Sequence, residues 1–115
     1  MDERLEKALD ISNLMVTLNN QKRILKEQYK ENVIYYYSGS QFTVTQQLIS
    51  FVQSLISLGQ VSSVLIDDND TPTEIENLEE FAVNIHSVYF EASNKYLLEY
   101  NKLKKTRSVE SIMEI

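Results

Sequence analysis

The chain of 115 residues contains no cysteine and no tryptophan, one proline, one histidine and two glycines. Without cysteine there is no disulfide, no thiolate nucleophile and no cysteine-ligated zinc, and nothing signals an oxidising compartment. The two glycines, Gly39 and Gly59, stand too far apart to form a loop that cradles phosphate, which removes nucleotide hydrolysis of the familiar kinds. His86, as the only imidazole, has no second histidine with which to share a metal or complete a triad. No apolar run approaches the roughly 20 residues of a membrane span. The opening MDERLEKALD places acids where a signal peptide needs a basic start. A soluble protein of the cytoplasm, with no membrane contact, is the expectation. A surplus of basic residues is also missing: the formal net charge is −6, so a general nucleic-acid binder, which needs clustered lysine and arginine, is disfavoured.

What is present is helical pattern. Ala8, Ile11, Leu14, Met15, Leu18, Leu25, Tyr29 and Val33 fall on one stripe at helical spacing, predicting a helix from about Asp2 to beyond Tyr29. Leu78, Phe81, Ala82, Ile85, Val88, Tyr89, Ala92, Tyr96, Tyr100 and Leu103 make a cleaner stripe. Asn77 begins it, with Glu80 placed as the capping-box partner, so this helix should run from about Leu78 to Lys105. Each would span about 30 residues and about 45 Å, long enough to pair as an antiparallel hairpin. Gln46 to Leu58 reads as a short middle helix with a wide apolar arc that should be largely buried, ended by Gly59.

The segments flanking the middle helix look extended. Val33 to Tyr37 and Phe42 to Thr45 surround Ser38-Gly39-Ser40, while Ser63 to Asp67 and Thr71 to Ile75 surround Asp68-Asn69-Asp70, which suggests two small β-hairpins at the closed end. The competing reading is an all-α three-helix bundle, with the first helix continuing through Tyr36 and the last starting at Thr71 with Pro72 as its first helical residue. The expected fold is thus mainly α (α+β). It consists of a single helical domain over residues 1–107 and an amphipathic C-terminal tail over 108–115.

Tyr36-Tyr37-Ser38-Gly39 before an apolar helix, the turn Ile66-Asp67-Asp68-Asn69-Asp70-Thr71-Pro72, and the closing Leu103-Lys104-Lys105-Thr106-Arg107-Ser108-Val109 together resemble small uncharacterised proteins of T4-type marine tailed phages. The resemblance spans most of residues 20–110 and implies a phage origin, but it brings no activity or site residues. Gln21-Lys22 through Tyr36-Tyr37-Ser38-Gly39 also resembles part of the T4-type recombination mediator, a helical oligomer that loads recombinase onto single-stranded DNA.

No nucleophile, base and metal-ligand constellation can be assembled, so an enzyme is not expected and no cofactor is implied. Asp67, Asp68 and Asp70 could attract a hard cation, with Glu79 placed as a last ligand. However, Pro72 and Thr73 occupy positions where such a loop needs a ligand and a glycine, and a solvated turn fits better. Tyr35, Tyr36 and Tyr37 could stack bases on a single strand, but the nearby Lys22, Arg23, Lys26 and Lys30 alternate with Glu27 and Glu31 instead of forming a basic groove.

A second apolar stripe on each long helix carries more information. Val83, Phe90 and Leu97 recur at seven-residue spacing on the last helix, where the middle helix should cover much of the stripe. On the first helix Leu5, Leu9 and Val16 lie beyond the middle helix's reach. Their cover must come from the tail, through Val109, Ile112, Met113 and Ile115, or from another subunit. These residues define the expected interface, and a homo-oligomer with an unidentified protein partner is the expected assembly. The functional expectation is a non-enzymatic phage accessory protein, a helical adaptor or assembly factor. The alternatives are an oligomeric single-stranded nucleic-acid-binding accessory of recombination or replication, contacting its ligand through Tyr35, Tyr36 and Tyr37, and an acidic inhibitor of a host nucleic-acid enzyme.

Overall fold

The computed structural model describes residues 2–113, with side chains described as far as residue 105. The fold is mainly α (α+β). In chain order it comprises α1 (Glu3–Asn32), β1 (Ile34–Tyr37), β2 (Ser40–Thr43), α2 (Gln46–Ser57), β3 (Ser63–Ile66), β4 (Pro72–Ile75) and α3 (Leu78–Met113). The chain divides into two compact units. One is made of the chain up to Tyr29 together with the chain from Lys95 onward, and the other is Lys30–Asn94.

In the first unit α1 and α3 pack as an antiparallel pair. The Tyr29 and Tyr96 rings lie 5.1 Å apart, Lys22 Nζ sits 6.0 Å from the Tyr100 ring, and Leu18 lines a groove with Leu103, so positions ascend on one helix as they descend on the other. α1 starts where Asp2 Oδ1 accepts a hydrogen bond from the Arg4 N–H. Only Leu18 is buried on α1, with Leu14, Leu25 and Tyr29 half-buried. α3 continues past the expected end at Lys105 to Met113.

The second unit holds the densest core. Both β-hairpins form, as the extended reading expects, in place of the helical extensions of the three-helix alternative. The first is closed by the two-residue turn Ser38-Gly39. Both residues have positive φ, 48° and 80°, giving the type I′ geometry that matches strand twist and that continuation of a helix cannot accommodate. The strands pair in the register Tyr35 to Phe42 and Tyr37 to Ser40. The second hairpin pairs Leu65 with Thr73 and Ile66 with Pro72 around the five-residue loop 67–71, in which Asp70 takes φ 60°, the left-handed position that short polar side chains tolerate.

α2 begins at Thr45, whose Oγ1 accepts from Leu48 N–H, and ends in a full Schellman motif, with Gly59 N–H donating to the Ile56 carbonyl and Gln60 N–H to that of Leu55. α3 begins at Asn77, whose Oδ1 accepts from Glu80 N–H.

Phe81 is the hub of this unit. It is buried, and the rings of Tyr35, Tyr37 and Phe42 meet it edge-on at 5.8, 5.7 and 5.4 Å. Val33, Val44, Leu65 and Ile75 from the hairpins join Leu78, Ala82 and Ile85 of α3 as buried core. Because the hairpins supply these side chains, α2 contributes little. Val52 is its one buried residue, Leu48, Ile49, Leu55 and Ile56 are half-buried and Phe51 is exposed, so the expectation that the apolar arc is largely buried is corrected. α2 also does not cover the second stripe of α3. Val83 and Phe90 remain 67% and 56% exposed.

Candidate functional site

The sequence-derived interface residues on α1 are uncovered. Leu5, Leu9 and Val16 are 52%, 46% and 56% exposed, and Ile11 and Met15 of the main stripe are exposed beside them. On the same unit Leu97 and Leu98 of α3 are exposed as well. A pair of helices has one mutual seam, and residues on the far side of either helix find cover only in a third element. The tail residues Val109, Ile112, Met113 and Ile115 lie outside the residues whose side chains are described.

The tyrosine cluster is divided by strand geometry. Successive side chains of a strand point to opposite faces, so Tyr35 and Tyr37 turn together onto Phe81 while Tyr36 is exposed on the other side. Asn84 Nδ2 donates to the Tyr35 hydroxyl at 3.1 Å, which fixes that ring further. One tyrosine of the three is left for an external ligand.

The acidic turn is a structural clamp, which corrects its reading as solvated. Asp67 is buried, its Oδ1 accepting from the N–H groups of Asn69 and Thr71 at 2.9 and 2.8 Å and its Oδ2 from Gln41 N–H at 3.2 Å. Asp68 Oδ1 accepts from Thr43 N–H at 3.1 Å, its Oδ2 accepts from the Thr43 hydroxyl at 2.7 Å, and its own N–H donates to the Gln41 carbonyl at 2.8 Å. Gln41 and Thr43 carry the outward groups of β2, so the two aspartates complete that strand's open edge and tie one hairpin to the other. The buried Ser40 and Thr73 hydroxyls meet at 2.6 Å alongside. With their oxygens occupied by N–H and O–H donors, these carboxylates are poorly disposed to a cation. Among the described residues no group of three or more histidine, aspartate or glutamate side chains is arranged to hold a metal ion.

The hydrogen bond from Thr71 N–H, with those from Gln41 and Asn69, outweighs the effect of burial and holds the Asp67 pKa below its ordinary value of 3.8. A lowered folded-state pKa means that the ionised group adds stability above the unfolded value, and that this contribution disappears as pH falls through the folded value. The melting temperature of the protein should therefore fall on acidification through this range. Asp67→Asn should lower it at neutral pH and flatten that acid slope, as a pH series of thermal melts would read.

His86 is half-buried on α3. Its Nδ1 lies 2.6 Å from the Ala82 carbonyl oxygen, which makes Nδ1 the protonated donor. Its ring lies 6.1 Å from that of Phe90. His86, Val83 and Phe90 on α3 line an open groove with Gln53 and Ile56 on α2.

Attention to individual motifs misses one feature, the segregation of charge. Between Glu31 and Asn94 the chain has nine carboxylates and no lysine or arginine; all eleven of those cations lie outside this stretch. The net charge of the whole chain conceals this, and a windowed count along the sequence reveals it.

No family model, no curated protein and no solved structure matches this chain. Among the described residues no helix is long and apolar enough to cross a membrane.

Proposed function

We propose that this is a non-enzymatic phage accessory protein of the host cytoplasm, a helical adaptor or assembly factor that associates with itself through the N-terminal part of α1 and presents its second unit to a protein partner. The observation that carries the reading is the exposure of Leu5, Leu9 and Val16, with Ile11 and Met15 beside them, on a helix whose one buried residue is Leu18. Apolar rows of this kind at helical spacing are what helix-packed assemblies bury. The phage assignment rests on the sequence resemblance alone. Single-strand binding is less well supported, because Tyr35 and Tyr37 are engaged with Phe81.

Light scattering of the intact chain, of a chain truncated after Lys105, and of Leu9→Asp tests the reading. The intact and truncated chains are expected to be oligomeric, and Leu9→Asp should weaken association at least about thirtyfold, the effect of removing an interface hot spot. An intact chain that is monomeric, whether or not truncation makes it associate, would overturn self-association. Association on truncation alone would assign the cover of α1 to the tail.

A further inference from the structure

The Lys30–Asn94 unit combines an uncovered apolar groove with a strong excess of acid, nine carboxylates against the single cation Lys30 at its first residue. Ile56 of α2 and Val83 and Phe90 of α3 line the groove, and the two α3 residues stay more than half exposed in spite of α2 beside them. Val83 and Phe90 stand seven residues apart with His86 and Ser87 between, the spacing at which one helix offers a seam to another, and a groove between two helices is the usual seat for a third.

The charge decides what kind of helix fits. Glu79 lines the groove, Glu80 and Glu91 are exposed on the same helix, and α2 contributes no charge of either sign. With no lysine or arginine anywhere from Glu31 to Asn94, nothing in this stretch offsets these carboxylates. An incoming acidic segment meets like charge, while a basic one is drawn in and oriented.

We propose that the α2–α3 groove docks a cationic amphipathic helix of a partner protein, with apolar residues seated on Val83 and Phe90 and lysine or arginine directed to Glu79 and Glu80. This gives the partner in the adaptor reading a chemistry. It rests on that reading for its biological sense but not on self-association, because none of Leu5, Leu9 and Val16 belongs to this unit.

The test uses the full chain and a fluorescent synthetic helix of about 18 residues, five turns, with leucine on one face and lysine on the other. Fluorescence anisotropy is read against a scrambled peptide of equal charge and against a version with glutamate in place of lysine. The amphipathic basic peptide is expected to bind at least about tenfold tighter than either, the share of one well-buried anchor. Val83→Ser with Phe90→Ser should remove that margin. Glu79→Gln with Glu80→Gln should weaken binding and reduce its dependence on salt. The ring signals of His86, the only histidine, should shift on titration by NMR, a readout that needs no variant.

Equal binding of the scrambled peptide, equal binding of the acidic one, unchanged binding by the Val83 and Phe90 variant, or unmoved His86 signals would each overturn the proposal. Binding should persist in Leu9→Asp. Its loss there would move the peptide site to the self-association surface and overturn this assignment, whereas monomeric wild-type chain that still binds the peptide would leave the proposal standing and remove only self-association.

Discussion

Phe81→Ala is expected to destabilise the protein by about 3–5 kcal/mol, the range for truncating a fully buried phenylalanine, and urea titration followed by circular dichroism would measure it. The loss should sit at the upper end because the surroundings cannot collapse. Tyr35 and Tyr37 are held two residues apart on β1 by pairing with Phe42 and Ser40, and the Tyr35 hydroxyl is bonded to Asn84, so neither ring is free to fill the vacated space. Three edge-on ring contacts disappear together, each contributing about 0.5–1.5 kcal/mol beyond area burial. Against a total stability of about 5–15 kcal/mol for an ordinary domain, this one change removes a large share of the margin. A loss under about 1 kcal/mol would show that the hairpins and α3 do not share a core centred on this ring.

Much of this arrangement was legible in the sequence because it depends on local rules. The apolar stripes marked α1 and α3, Gly59 marked the end of α2, Asn77 marked the start of α3, and Ser38-Gly39 marked the tight turn. The division of the tyrosines follows from the same alternation that identifies a strand, since an extended Val33 to Tyr37 cannot present Tyr35, Tyr36 and Tyr37 on one face. The charge segregation was equally open to view.

The aspartate clamp was not legible. The value of Asp67 and Asp68 lies in the backbone N–H groups of Gln41 and Thr43, about 25 residues earlier, and no local pattern announces which open strand edge a carboxylate will complete. The burial of α2 is not legible for a related reason. An apolar arc states how much surface seeks cover, whereas the cover itself is allotted by competition, and here Phe42 packs on Phe81 of α3 and Val44, Leu65 and Ile75 are buried while most of the α2 arc is not.

That competition leads to the second large effect. Val52→Asp is expected to cost about 3–5 kcal/mol, because a buried carboxylate without a partner keeps most of its desolvation penalty. Val52 has no solvent exposure, and the stretch from Glu31 to Asn94 contains no lysine or arginine to neutralise a charge placed there. The penalty should decline in acid as the introduced carboxyl protonates, so the gap between variant and wild type narrows on lowering the pH. Phe51→Asp, one position earlier on an exposed side of the same helix, should change stability by no more than about 0.5 kcal/mol. The contrast between neighbours fixes the orientation of α2. Were both substitutions equally severe, α2 would be buried on two sides, and the groove beside Val83 and Phe90 would be closed to a partner.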